Sequence, residues 1–411
     1  MPADAVDLLG EGAPVPALDW SALFARRTAL AGNELTAILS LAASRDIITF
    51  AGGFPAPETF PVDVIRELTS NLLDADAGVA LQYSPTEGLP AAREAVAGLL
   101  QDTQGVRVDP GDVLVTSGGI EALQLLARTL VDPGDRVLVE APTYLGAIMA
   151  FAGFEADVEG VPIDEDGLCV DELEATLAQG RPPKLLYIIP DHQNPTGLSL
   201  SEERRRALVE VCRSHHLLLV EDVAYRELGF NGSAPPSLWS LAPDMVVQIG
   251  TFSKIFMPGV RLGWAVGPAA VVKAMTAAKQ NSDQCSGALG QMLMARYLTG
   301  GHMARTLITA RALYQRRAGA MLDALTAHMP EGVTWTRPDG GFFVWLTAPE
   351  HVDTRALASS AARMGVAYVP GTPFYTDARG SNELRLSYSR ADETDIDEGV
   401  KRLATLLGEA G

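Results

Sequence analysis

The sequence predicts an α/β protein: a mainly parallel central sheet with helices on both faces, followed by a smaller C-terminal α+β domain. Three observations predict it. Six short apolar runs, each four to six apolar residues long and bounded by charge, Gly or Pro, recur between residues 112 and 267. Strands buried on both faces read this way. Stretches with helical spacing separate the runs, as in strand–helix–strand units. After about Gly300 the pattern changes to one long Arg-rich helix followed by hairpin-like segments.

In chain order, residues 1–20 are rich in Pro, Gly and Asp and are expected to be loose. From Asp63 helical patterns alternate with the runs DVLVTS (112–117), DRVLVE (135–140), KLLYIIP (184–190), LLLVED (217–222), MVVQIG (245–250) and LGWAVG (262–267). Ile120–Leu130 and Ser201–His215 are helical between them. Ser201, just ahead of Glu203, supplies a capped start with acid in the first turn. Past residue 300, HMARTLITARALYQRRAGAMLDAL is helical, WTRPDGGFFVWL resembles a hairpin, and GVAYVPG and ELRLSYS complete a small sheet. The reading is an N-terminal arm and helix over 1–60, a large domain over 61–295 and a small domain over 296–411. The boundary falls near residues 285–305.

Composition narrows the function. The 411 residues carry 32 Lys and Arg against 51 Asp and Glu, a net charge of −19, with 47% hydrophobic and 20% charged residues. Such a chain builds a large core without disulfides, and its acidity argues against nucleic acid as a partner. Cys169, Cys212 and Cys285 are odd in number and form no paired motif, which suggests free thiols in a reducing compartment. Cys212, His215 and His216 close a helix with no second ligand pair, so no metal is expected. No run approaches the ~20 apolar residues of a membrane span. Arg26-Arg27 ahead of an apolar stretch faintly resembles an export signal. Glu34 interrupts that stretch, and a cytoplasmic protein is expected.

In an open α/β sheet, ligands bind beyond the carboxyl ends of the strands. Gly118-Gly119-Ile120 follows the first run. Asp191-His192-Gln193-Asn194-Pro195-Thr196-Gly197 follows the third, and Asp222-Val223-Ala224-Tyr225 ends the fourth. Thr251-Phe252-Ser253-Lys254 and then Pro258-Gly259-Val260-Arg261 follow the fifth. A loop lysine ordinarily snorkels to solvent. Lys254, however, stands between two apolar strands, in a segment whose other charge is Arg261. A partly buried amine beside a cation has the lowered pKa that a Schiff-base lysine requires. Arg261 with Thr251 and Ser253 offers a cation and two hydroxyls to a phosphate. Asp222 is either a simple helix cap or the partner of a pyridinium nitrogen. Together these residues describe a pyridoxal phosphate (PLP) site.

A dinucleotide site is the rival reading. Glu140 lies 22 residues beyond Gly118, near the ~20 of a dinucleotide-binding unit. But the turn reads GGIEA without the third glycine, and Lys254, Arg261 and Asn194 are left without a role.

The segments Gln193–Gly197, Asp222–Tyr225 and Ser253-Lys254 with Pro258–Arg261 resemble fold-type I PLP-dependent aminotransferases. Phe50-Ala51-Gly52-Gly53, Leu81–Gly88 (LQYSPTEG) and Ala141-Pro142-Thr143-Tyr144 resemble the 2-aminoadipate, kynurenine and multi-substrate branch. The resemblance covers nearly the whole chain. It implies ping-pong exchange of an amino group between an L-amino acid and a 2-oxo acid. Lys254 would form the Schiff base and shuttle the proton. Asp222 would pair with the pyridine nitrogen, and Asn194 and Tyr225 with the ring's phenolic oxygen. Tyr144 and Ala224 would cover the two ring faces. Gly118, Gly119 and Ile120, with Thr251, Ser253 and Arg261, would hold the phosphate. Tyr83 would reach the phosphate of a neighbouring subunit, implying a homodimer. Arg385 would fork onto the substrate α-carboxylate, with Asn194, Gly53 and Tyr144 around the substrate.

The chain departs from the family at Gly119-Ile120, where relatives usually carry a Ser or Ala and a Gln, and at His192, where an aromatic is common. His192 either packs behind the site or touches substrate. The stretch Gly32–Thr36 lacks the arginine that aminoadipate enzymes use for a distal carboxylate, unless Arg26 or Arg27 substitutes. The same fold also hosts elimination, replacement, cyclisation and oxidation, which form the alternative. A PLP-sensing regulator would need an attached DNA-binding segment, and the first 60 residues are short and acidic for one.

Overall fold

The computed structural model describes residues 18–25, 27–28 and 47–409. Most of the expected N-terminal arm, with Arg26 and Gly32–Thr36, therefore lies outside the described residues. Within them, β1 (Ile48–Thr49) precedes an eight-stranded sheet. That sheet consists of β2 (Leu114–Thr116), β3 (Arg136–Ala141), β4 (Asp157–Asp164), β5 (Gly167–Leu168), β6 (Leu185–Ile188), β7 (Leu218–Asp222), β8 (Val246–Thr251) and β9 (Gly263–Val266). The spatial order is β2-β9-β8-β7-β6-β3-β4-β5.

All six apolar runs are strands, and β2, β3, β6, β8 and β9 are buried along their whole length. The core of the sheet, β8-β7-β6-β3-β4, is parallel. The sheet is nevertheless mixed, because β9 runs antiparallel between β2 and β8 and β5 runs antiparallel to β4. Reversal of β9 has a consequence for the site. The carboxyl ends of β2, β3, β6, β7 and β8 share one edge, and the chain enters β9 from that edge, bringing Arg261 to it.

Helices cover the sheet as the spacing predicts. Gly119–Leu130 follows β2 and Glu202–Ser214 lies between β6 and β7; Ser201 accepts the Arg204 N–H as N-cap. Beyond residue 300, the helix His302–His328 spans 27 residues, about 40 Å, and packs along the final helix Glu393–Glu409. The small antiparallel sheet joins β10 (Thr334–Trp335), β11 (Phe343–Thr347), β13 (Val369–Pro370) and β14 (Glu383–Ser387) in the order β10-β11-β14-β13. β1 pairs in parallel with β12 (Val366–Ala367), so the segment entering at residue 48 is tied to the C-terminal part of the chain. One contiguous apolar core runs beneath both sheets, from Leu114 and Ile188 to Phe342 and Leu384.

Candidate active site

The shared sheet edge opens into a cavity of about 260 Å³. Five strands that end at this edge deliver residues to it: Gly119 and Ile120 after β2, Tyr144 after β3, Asn194 after β6, Asp222 at the end of β7, and Ser253 and Lys254 after β8. Gly53, Ala224, Tyr225, Thr251, Arg261 and Arg385 complete the sequence-predicted lining. Two predicted residues stand apart. Gly118 lies behind the lining, and Tyr83 is on the outer surface, 78% exposed.

Lys254 Nζ donates to the Gly53 carbonyl at 2.8 Å and lies 5.8 Å from the Tyr225 ring centroid. Burial, with the nearby Arg385 and Arg261 cations, pulls its pKa down to about 8. Burial pushes Asp222 up to about 6, against hydrogen bonds that favour its charged form. Those bonds come from the Tyr187 hydroxyl at 2.9 Å and the Ala224 amide at 3.0 Å. Tyr225 is buried, hydrogen-bonds Asn194 and is held well above its usual acidity range by desolvation.

Arg385 is held from three sides. Its Nη1 donates to Asn194 Oδ1 and its Nη2 to the Ala51 carbonyl, both at 2.7 Å. The guanidinium carbon sits 4.3 Å from the Phe343 ring centroid and 5.0 Å from that of Phe374. Its buried Nε has no partner, and burial lowers its pKa to about 10. A second cationic centre shares none of these partners. Arg261, in a left-handed conformation at φ +53°, donates to Ser253 Oγ at 3.3 Å, and Thr251 Oγ1 donates to the same oxygen at 3.0 Å. Gly118, at φ +95°, packs so tightly here that a Cβ would sit 2.8 Å from Arg261 Nη2. This turn is where the chain approaches a cation with backbone alone.

Behind the turn lies a device the sequence reading missed. Lys279, fully buried, pairs with Glu121 at 2.7 Å and Asp283 at 2.8 Å. Glu121 belongs to the first turn of helix Gly119–Leu130, so the triad braces the end that faces the cavity. Glu140, the acid of the rival dinucleotide reading, is a core group: it is buried, accepts the Ile189 amide at 2.9 Å and is pushed up to about 8 by desolvation. His192 does not line the cavity. Its ring packs beneath Gly340 and Gly341, with Nδ1 3.0 Å from Asp339.

A family model described as aminotransferase class I and II matches residues 45–403. The chain belongs to the class I and II aminotransferases. This aminotransferase is 38% identical, over 98% of both chains, to aromatic-amino-acid aminotransferase 1 of Thermococcus litoralis. Its fold is similar to that of the multiple substrate aminotransferase of Thermococcus profundus, with a TM-score of 0.91, 37% identity, and coverage of 96% of this chain and 99% of that one. It is also similar to the alpha-aminoadipate aminotransferase of Thermus thermophilus, solved with N-(5'-phosphopyridoxyl)-L-leucine, at TM-score 0.89, 39% identity and coverage of 96% and 99%. The enzyme is a PLP-dependent transaminase of fold type I acting on amino acids and 2-oxo acids. The elimination, replacement, cyclisation and oxidation outcomes are not favoured.

The aminotransferase cavity fits that cofactor chemically. Arg261, two hydroxyls and the N-terminal amides of a helix make a phosphate cradle. The cavity also holds a buried carboxylate and an amine with depressed pKa, groups that could meet the ring nitrogen and the aldehyde, and an arginine whose buried Nε has no partner. The walls include four apolar side chains that the sequence reading did not single out: Phe54, Leu145, Phe343 and Phe374. They arrive from segments far apart in sequence. Tyr187 was also missed, hidden in an apolar run. A tyrosine among aliphatic residues in a buried strand needs a partner for its hydroxyl, and that was the available signal.

Proposed function

We propose that Lys254, Asp222, Asn194, Tyr225 and Arg385 form the reacting centre, and that the amino donor is an L-amino acid with an apolar or aromatic side chain. When bound, PLP supplies an electron-withdrawing ring that stabilises negative charge at the substrate Cα. Lys254 Nζ would anchor the cofactor and would carry the proton between the substrate Cα and C4′ of the cofactor. Its pKa of about 8 leaves a working fraction of neutral amine near neutral pH. Asp222 faces the ring nitrogen and holds a proton there. Asn194 and Tyr225 donate to the phenolic oxygen, while Tyr144 and Ala224 enclose the ring. Gly119 and Ile120 amides, Thr251, Ser253 and Arg261 bind the phosphate, with Gly118 allowing the close approach. Arg385 turns two parallel N–H groups to the α-carboxylate, beside Gly53. The observation that carries this reading is the presence, in one cavity, of two cationic centres with no shared partner together with Lys254 and Asp222.

The substrate class rests on the walls. Among the described residues lining the cavity, the cations are Lys254, Arg261 and Arg385, so among those residues a distal carboxylate finds no free partner. Phe54, Leu145, Phe343 and Phe374 instead offer apolar surface, worth roughly 1.5–3 kcal/mol for a large apolar side chain. The relative from Thermococcus litoralis, named for aromatic amino acids, points the same way. The working unit proposed is a cytoplasmic homodimer. Exposed Leu81 and Tyr83, 70% and 78% accessible, suit a subunit contact, and three free cysteines suit a reducing compartment.

A single-turnover experiment tests the chemistry. The PLP-loaded enzyme mixed with L-phenylalanine alone should release one 2-oxo acid per subunit as the yellow band bleaches, and a 2-oxo acid should restore the band. Ammonia release with a persistent band would contradict transamination. A higher kcat/KM for 2-aminoadipate than for phenylalanine would contradict the substrate class. Mixing inactive Tyr83→Ala and Lys254→Ala subunits should regain activity, because hybrid dimers would hold one intact site; no recovery would contradict the shared-site dimer.

A further inference from the structure

Asp222 is held by a residue that never reaches the cavity. Tyr187 on β6 pairs in register with Val220 on β7, so Tyr187 and Asp222, two residues further along β7, lie on the same face of the sheet as diagonal neighbours. Tyr187 is completely buried, and its ring packs edge-on against Phe151 at 6.2 Å. Its hydroxyl donates to Asp222 Oδ2 at 2.9 Å, while the Ala224 amide donates to Oδ1 at 3.0 Å. Each carboxylate oxygen therefore has one donor from the protein and keeps a lone pair for a ligand. Two donors on different oxygens also fix the plane of the carboxylate.

We propose that Tyr187 is a positioning residue for amino transfer: its hydroxyl keeps the Asp222 carboxylate ionised and oriented, and so determines whether the proton stays on the cofactor's ring nitrogen. The proposal rests on the reading that Asp222 faces that nitrogen. Its physical basis is competition between burial and hydrogen bonding. Asp222 is buried, and desolvation disfavours its charge. The groups that act on it from the neighbouring elements are Glu140, Tyr144, Tyr187, Glu221, Tyr225 and Lys254. Lys254 is the cation among these. With the amine engaged by the cofactor, the protein groups that would still favour the charged carboxylate are the Tyr187 hydroxyl and the Ala224 amide. Without Tyr187 the carboxylate becomes the stronger base and draws the proton off the ring nitrogen. The ring then withdraws electrons less effectively.

The test compares wild type with Tyr187→Phe, which keeps the ring and deletes the hydroxyl. The first readout is the nitrogen NMR signal of the holoenzyme loaded with ¹⁵N-labelled PLP, followed against pH. The second is the titration of a ¹³C-labelled Asp222 carboxyl in apo-enzyme. In Tyr187→Phe the carboxyl should titrate about one pH unit higher, as expected for loss of a hydrogen bond to a charged group. The ring nitrogen should lose its proton at correspondingly lower pH, and kcat should fall about tenfold with KM within twofold. Phe151→Leu, which loosens the same packing but keeps the hydroxyl, should leave both titrations in place. Site-specific 3-fluorotyrosine at position 187, a stronger donor of the same shape, should move both titrations the opposite way and covers the case in which Tyr187→Phe fails to fold. Unchanged nitrogen and carboxyl titrations in Tyr187→Phe or the fluorotyrosine enzyme overturn the proposal. A wild-type ring nitrogen already unprotonated at neutral pH overturns the Asp222 reading itself, and the proposal with it.

Discussion

Capture of PLP requires an uncharged Lys254, and the structure sets how much of it exists. A free lysine titrates near 10.4, so about one amine in 2,500 is neutral at pH 7. Burial and the Arg385 and Arg261 cations bring Lys254 down to about 8, which raises the neutral fraction about 200-fold, at tenfold per pH unit. The assay is stopped-flow absorbance of apo-enzyme mixed with excess PLP from pH 6.5 to 10. The rate should rise about tenfold per pH unit and level off near pH 8. Two variants sharpen the test because they move the levelling point in opposite directions. Arg385→Leu removes a cation that disfavours the charged amine, so the plateau should begin at higher pH. Asp222→Asn removes an anion that favours it, so the plateau should begin lower. A wild-type rate still climbing tenfold per unit at pH 10, or variants displaced in the same direction, would refute the electrostatic account of Lys254.

Three further outcomes follow from buried charge. Glu140 titrates near 8 in the fold, above its unfolded value, so its contribution to stability is complete below about pH 4.3 and lost as pH rises through 8. Denaturant titrations should show up to about 1.4 kcal/mol lost per pH unit across that window, and Glu140→Gln should flatten the slope. Lys279→Met leaves Glu121 and Asp283 uncompensated and should cost about 3–5 kcal/mol, partly recovered at pH 5 because Glu121 already titrates above the usual carboxylate range; equal stability at pH 7 would show that the triad is not a brace. Arg385→Lys keeps the cation but loses the fork, and should lower kcat/KM about 10–100-fold, while PLP affinity stays within a few-fold.

Much of this architecture was legible because the site is built from strand ends. Six apolar runs located the strands, and the residues following five of them were brought to a common edge. Arg261 illustrates the limit: its place depends on the reversal of β9, which an apolar run of four residues does not announce. The strand Asp157–Asp164 was missed because it is half-exposed at the sheet margin and its sequence, DVEGVPID, carries charge and proline in place of an apolar run. The walls Phe343 and Phe374 were invisible for a different reason. They belong to the small sheet and its loop and reach the cavity only through the packing of that sheet against the large one. Tyr187 and Lys279 act from inside the core, where a sequence pattern registers burial and gives no indication of which polar partner a side chain meets. Tyr83 shows the converse, since a single chain leaves it on the surface and only a second subunit would give it a site.

The most direct measurement is borohydride reduction of the PLP-loaded enzyme followed by mass mapping of its peptides. One pyridoxyl group per chain is expected, on Lys254, the residue that follows Ser253. A label on Lys273, Lys279 or any other lysine, or an unlabelled Lys254 in an enzyme that still transaminates, would contradict it.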